Sequence, residues 1–312
     1  MAQQEGDISW QTLRQIVQDW AGTSAELAEV GRLDGGSIST TLLLTTADNN
    51  AKAVLKISPY RVDRSYEIEA HDLDLLRGVG VPTPKVFHCV TGTLEDPNSY
   101  LLMEFMPGVD LNEAKKQCSA EQFDDIQRQL AELVIAMHQK SGPAYGRVIP
   151  KGLTVYETWP KFFRDVYEPT WQETQKLFCL SVKQRKLLGK LHERLERFVA
   201  HDDSPRLVHW DLWASNLLCA PDEAGKWRIT AVLDPICKYA HAEAEIAYLD
   251  LFHTITPAFS KAYQQSFKLD DTYHRVRKPI YQLYPLLHHV CTFGQEYVKP
   301  LMVMLDRVSP LV

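Results

Sequence analysis

The chain has 312 residues, 45% of them hydrophobic, which is enough for a substantial core and for two lobes or domains. A formal net charge of −6 argues against a dedicated nucleic-acid binder, and the apolar runs are too short and interrupted to cross a membrane. The opening MAQQEGDISW lacks a basic stretch followed by an apolar one, so no secretory signal is expected. Single cysteines at 89, 118, 179, 219, 237 and 291, with no CxxC pair, fit reduced and mostly buried thiols of a cytoplasmic protein better than a disulfide framework.

In chain order, Trp10, Leu13, Ile16, Val17 and Trp20 recur at helical steps and predict an amphipathic helix. Val30–Leu33, Thr41–Thr46 and Ala53–Ile57 read as strands separated by the turns Asp34-Gly35-Gly36-Ser37 and Ala47-Asp48-Asn49-Asn50. A helix is expected over Ser65 to Arg77, broken by Val81-Pro82-Thr83-Pro84. Strands follow at Lys85–Thr91 and Tyr100–Met106. Met106-Pro107-Gly108 then marks the boundary between a first lobe, 1–106, and a second, 107–312. Helical periodicity dominates the second: Phe123–His138, Trp159–Phe178 with a break expected at Pro169, Val182–Val199, and much of 243–304. A short β insert runs from Arg206 to Asp234. The expected fold class is α+β: a small antiparallel β lobe with one main helix, then a larger, mostly helical lobe.

The segment that carries chemistry is Arg206-Leu-Val-His-Trp-Asp-Leu-Trp-Ala-Ser-Asn216. Eighteen residues beyond Asn216 stands Asp234, closing an alternating strand run and followed by Pro235. Phosphoryl transfer needs a carboxylate to orient the acceptor hydroxyl and take its proton, and Asp211 fits that role. It also needs hard oxygen ligands for the Mg2+ that accompanies ATP, which Asn216 and Asp234 supply. An HxDxxxxN loop followed by a strand-ending Asp is the protein-kinase arrangement. In it His209 would brace the loop rather than react. The bland alternative is a polar loop, because Asp and Asn favour turns in any case.

Upstream, Lys56 sits inside an apolar strand, where a lysine either snorkels to water or has an anionic partner. In a kinase it holds nucleotide phosphates and pairs with a helix Glu. Glu67 and Glu69 are both available, and Glu69 is favoured because it lies one turn before Leu73 on the inward face. Gly35-Gly36-Ser37 stands where a phosphate-covering hairpin belongs, although it lacks a full GxGxxG. Leu101–Met106, with Glu104 and Met106, occupies the place of the linker whose backbone would bind adenine. Other candidates are poorer. His241 and His288-His289 make a metal site only if the fold unites them, and core or capping roles are the default. The cluster Tyr273, Tyr281, Tyr284, Phe293 and Tyr297 reads as helix packing. Glu243, Glu245 and Asp250 could contribute to an acidic acceptor pocket that favours cationic substrates, but on a solvated helix they mean little.

With these residues in view, the chain resembles the fructosamine (ketosamine) 3-kinases, within the aminoglycoside phosphotransferase and choline kinase superfamily of protein-kinase-like fold. Their His-Gly-Asp-Leu-Trp-x-Gly-Asn loop is matched by His209–Asn216, including Trp213. Their Asp-Pro and Gly-His-Arg-Glu-x-Asp segments correspond to Asp234-Pro235 and Ala240-His241-Ala242-Glu243-Ala244-Glu245. Trp210, Ser215, Ala240, Ala242 and Glu245 depart from that pattern. The resemblance implies an ATP-dependent kinase acting on a ketosamine, free or on a protein lysine, with Trp213, Tyr239 and His241 as candidate acceptor-lining residues. The rivals are a kinase for another hydroxylated metabolite or an aminoglycoside-like compound, and a nucleotide-binding pseudokinase. The second would require loss of Lys56, Asp211, Asn216 or Asp234, all of which are present.

Overall fold

Alternation along the strands explains how the first compact unit is assembled. In the computed structural model, which describes residues 4–5, 8–33, 40–58, 63–96, 98–201 and 203–312, this unit comprises Met1–Val109 together with Leu218–Ala220 and Ile229–Ile236. Helix α1 (Trp10–Ala21) precedes strands β1 (Leu27–Arg32), β2 (Thr40–Thr46) and β3 (Lys52–Ser58). Helix α2 (Ser65–Arg77) and strands β4 (Val86–Val90) and β5 (Ser99–Glu104) follow. The five strands form one antiparallel sheet in the order β1-β2-β3-β5-β4.

On β3, Ala53, Leu55 and Ile57 are fully buried in a cluster with Leu13, Ile16 and Val17 of α1. Val54 points the other way, into a cluster that includes Tyr66 and Leu73 of α2 with Leu101 and Met103 of β5. Period-two alternation places Lys56 on that same α2-facing side. The turn Gly35-Gly36-Ser37 lies outside the described residues.

The second compact unit comprises Asp110–Leu217, Pro221–Arg228 and Cys237–Val312. It is mostly helical, and the whole is an α+β arrangement. Helix α3 (Ala120–Gln139) opens with a capping box in which Ser119 and Gln122 satisfy each other's backbone N–H groups. Helix α4 (Trp159–Thr174) runs through Pro169 instead of breaking there, and it stops short of Phe178. Proline forfeits one backbone hydrogen bond, but Phe162, Phe163, Val166, Tyr167 and Thr170 are buried on the same helix and hold it in place. The helix expected over Val182–Val199 is two helices, α5 (Val182–Glu193) and α6 (Leu195–Val199), separated by Arg194 in a non-helical conformation.

Strand β6 (Arg206–Val208) pairs antiparallel with β7 (Lys238–Ala240), so that Leu207 stands opposite Tyr239. Helix α7 (Ala242–Leu251) follows at once and is buried on nearly every side. The expectation of a solvated helix is thus corrected: Glu243 and Glu245 are 6% and 1% exposed. Their carboxylates lie in the first turn of α7, where the helix dipole favours negative charge. Helices α8 (Pro257–Tyr263), α9 (Lys278–Phe293) and α10 (Val298–Val308) complete the chain.

Candidate active site

Within the first unit, Lys56 Nζ lies 2.6 Å from Glu69 Oε1 and 2.5 Å from Asp234 Oδ1. Burial alone would push the Lys56 pKa down, but the two carboxylates overcome it and hold the ammonium well above the usual lysine range. For Glu69 the burial cost outweighs the attraction of Lys56, and its carboxyl is raised. Asp234 lies two residues beyond the strand Trp227–Val232 at φ +55°, a left-handed conformation that Asp tolerates better than most residues. The strand end is fastened by Val232 N–H, which donates to the Pro82 carbonyl over 2.7 Å. Asp234 keeps a side-chain exposure of 44% despite the ion pair, leaving oxygen surface for another cation. Glu104, an exposed residue at the end of β5, accepts Lys85 N–H with its side chain over 3.1 Å, and Met106 lies two residues past the strand.

Within the second unit, the strand Arg206–Val208 delivers the chain into His209, which is fully buried. His209 Nδ1 accepts the Asp211 backbone N–H over 3.2 Å, so the imidazole braces the loop from inside. Asn216 ends a short 3-10 turn, Ala214–Asn216, and its Nδ2 donates to the Asp211 carbonyl over 2.8 Å. The amide oxygen is thereby left for another partner. Tyr248 on α7 donates its hydroxyl to Asp211 Oδ1 over 2.5 Å. Burial, reinforced by the Asp211 carboxylate, raises the Tyr248 phenol far above its ordinary value, so it is a donor at all working pH values.

The loop backbone is held by Glu245, which the sequence offers only as part of an acidic acceptor pocket. Glu245 Oε1 accepts both His209 N–H (2.7 Å) and Trp210 N–H (2.9 Å). Its Oε2 lies 2.9 Å from His138 Nε2, whose Nδ1 is 2.8 Å from the Tyr263 hydroxyl. Burial works to raise the Glu245 carboxyl, but these hydrogen bonds and the histidines win and lower it. Trp210 itself sits at φ +75°, where the resembling kinases carry Gly. Its ring is covered by Lys238 Nζ, 4.5 Å from the centroid, a cation–π contact.

Trp213 is 38% exposed on the loop. The Tyr239 ring lies against Gly142, where even a Cβ would come within 2.3 Å of it. His241 is 1% exposed and lies beside His201 rather than the loop carboxylate. None of these three lines the small aromatic hollow beside the loop, which is walled by Phe163, Trp210, Glu245, Tyr248, Tyr281 and Tyr284. That hollow holds about 30 Å³, space for roughly one water molecule. Ala242 is buried, and the cation that meets Glu243 is Arg277, which grips both carboxylate oxygens at 2.6 and 2.7 Å. All six cysteines are free, and burial, aided by Glu67, pushes the Cys89 thiol up to about 11, away from reactive thiolate.

The family profile of the fructosamine kinases matches residues 9–310, and the chain belongs to that family. It is 28% identical over 272 residues to a probable ketoamine kinase of Enterococcus faecium, covering 84% of this chain and 89% of that one. It is 26% identical over 312 residues to the probable ketoamine kinase of Escherichia coli strain K12, covering 96% and 99%. Among solved structures, a candidate fructosamine-3-kinase of Thermobifida fusca superposes with a TM-score of 0.73 at 23% identity, covering 96% and 99%. A thermostable mutant of the aminoglycoside phosphotransferase APH(4)-Ia, in complex with AMP-PNP and hygromycin B, superposes with a TM-score of 0.69 at 17% identity, covering 96% and 98%. The fold is thus that of the protein-kinase-like phosphotransferases.

Proposed function

We propose that this member of the fructosamine kinase family transfers the γ-phosphoryl group of ATP to the 3-hydroxyl of a ketosamine, free or carried on a protein lysine. The observation that carries this reading is the Asp211 carboxylate, held beside Asn216 on a loop whose backbone N–H groups are clamped by a buried Glu245. Such a carboxylate can accept the proton of an acceptor hydroxyl as its oxygen attacks the γ-phosphorus and ADP departs. Lys56, kept cationic by Glu69 and Asp234, would bind the phosphate oxygens, with Gly35, Gly36 and Ser37 covering them and the Glu104–Met106 backbone meeting adenine. Asn216 in the second unit and Asp234 in the first each offer a hard oxygen of the kind Mg2+ prefers, and Mg2+ accompanying ATP would neutralise charge on the phosphates. The first unit would serve the nucleotide, and the second the acceptor, with the exposed Trp213 as a further acceptor candidate, whereas Tyr239 and His241 are taken up by packing and by His201.

We place the protein in the cytoplasm, in keeping with its free thiols. Among the described residues no helix is long and apolar enough to cross a membrane. The test is ADP release with ATP, Mg2+ and a panel of acceptors: fructosyl-lysine, ribulosyl-lysine, a glycated protein, aminoglycosides and choline. Turnover is expected with the ketosamines. Turnover confined to aminoglycosides or choline would overturn the substrate assignment, and no turnover with any acceptor despite ATP binding would favour a pseudokinase.

A further inference from the structure

His241 is a metal ligand only where the fold supplies partners, and the fold supplies His201 and Asp203 rather than His288 and His289. His201, Asp203 and His241 present ligand atoms that all lie within 4.8 Å of one another. His241 Nε2 is 2.8 Å from His201 Nδ1 and 3.8 Å from Asp203 Oδ2. Two imidazole nitrogens aimed at each other must share one proton, and a cation can take its place. We propose that these three residues form a binding site for a divalent transition-metal ion of the zinc class, with a fourth position open to the adjoining groove.

Two imidazoles and a carboxylate suit Zn2+ and its neighbours, whereas Mg2+ prefers an all-oxygen set, so this site is chemically distinct from one serving the nucleotide. The remaining atoms are arranged as a ligand set requires. Asp203 Oδ1 already accepts the Ser204 N–H over 2.7 Å, and its main-chain carbonyl accepts the Tyr145 hydroxyl over 2.5 Å, which leaves Oδ2 facing His241. His241 is 1% exposed, and its Nδ1 is buried without a hydrogen-bond partner. Glu243 Oε2 lies 3.8 Å from that nitrogen, fixed by Arg277. When Nε2 ligates a metal, the ring proton resides on Nδ1, and a nearby carboxylate is the group that commonly receives it.

Zinc–nitrogen bonds of about 2.0–2.1 Å at tetrahedral angles set ligand atoms roughly 3.3 Å apart, so the imidazole pair must open by about 0.5 Å. His201 and Asp203 stand in the wall of a wide, open groove, which leaves the fourth position to water or to an anionic group. Three protein ligands with one open position is the pattern of a reactive rather than a purely structural zinc. An ion here would fasten the segment before Arg206–Val208 to the N-cap of α7, whose first turn carries Glu243 and Glu245.

The test uses the full chain, stripped with EDTA, desalted, and titrated with Co2+ and then Zn2+ in excess Mg2+. The expected result is one bound equivalent of Co2+ with visible d–d bands and no thiolate charge-transfer band, displaced by Zn2+. Affinity should fall at least ten-fold in both His201→Ala and Asp203→Asn. No binding, a thiolate band, or unchanged affinity in Asp203→Asn would overturn the proposal. Asp203→Asn preserves shape and decides the matter alone if His201→Ala fails to fold.

Discussion

Replacing Glu245 with Ala should damage stability and turnover together, and the structure gives the size. The side chain is fully buried, accepts two loop N–H groups at 2.7 and 2.9 Å, and partners His138 at 2.9 Å. Hydrogen bonds to a charged group contribute about 1.5–3 kcal/mol each, and an orphaned buried partner costs about 1–3 kcal/mol. Relief of the carboxylate's own desolvation offsets part of that sum, as in other buried pairs, where removing one partner costs about 3–5 kcal/mol. We therefore expect Glu245→Ala to lose about 3–5 kcal/mol in urea unfolding. Glu245→Gln keeps an acceptor oxygen for both N–H groups and should lose about 1–2 kcal/mol. Because Glu245 holds the loop backbone, kcat in the Gln variant should fall while the KM for ATP stays near wild type. An Ala variant within about 1 kcal/mol of wild type, or with unchanged kcat, would refute the clamp.

The same residue predicts a pH dependence. Its folded pKa lies below the ordinary glutamate value of 4.5, so the stability it contributes is present above that pH and is lost as pH falls through the folded value. The gap in unfolding free energy between wild type and Glu245→Gln should narrow in acid, and a constant gap would contradict this. Lys56→Met should raise the KM for ATP at least ten-fold in steady-state assays, since it removes the cation proposed for the phosphates. Tyr248→Phe deletes the hydroxyl that donates to Asp211 and should cost about 1.5–3 kcal/mol in urea unfolding, with a fall in kcat. Trp210→Gly relieves a left-handed backbone worth about 1–2 kcal/mol but uncovers Lys238, so stability should change little while acceptor KM values shift; an unaltered acceptor profile would detach Trp210 from the acceptor side.

What was legible in the sequence was local. The spacing from His209 to Asn216 places three polar groups on one tight loop, and strand alternation aims Lys56 at the helix bearing Glu69. Contacts set by how helices pack were not legible. His138 and Glu245 stand 107 residues apart, and Arg277 meets Glu243 across 34. The one available signal for Glu245 and Glu243 was the run of Ala242, Ala244 and Ala247 around them. Small residues on every side let neighbours approach closely, which marks a buried helix and therefore carboxylates with fixed partners. The continuity of the helix through Pro169 was hidden for a related reason, since propensity yields to a buried aromatic face.

The general-base role of Asp211 is tested by turnover of Asp211→Asn with ATP, Mg2+ and fructosyl-lysine, with the phosphorylated carbon identified by 31P NMR in the wild-type product. Phosphate is expected at the 3-hydroxyl. In the variant kcat should fall by about 10²–10⁴, the contribution of a positioned general base, with ATP binding retained. A variant that turns over at the wild-type rate would show that Asp211 is not the general base.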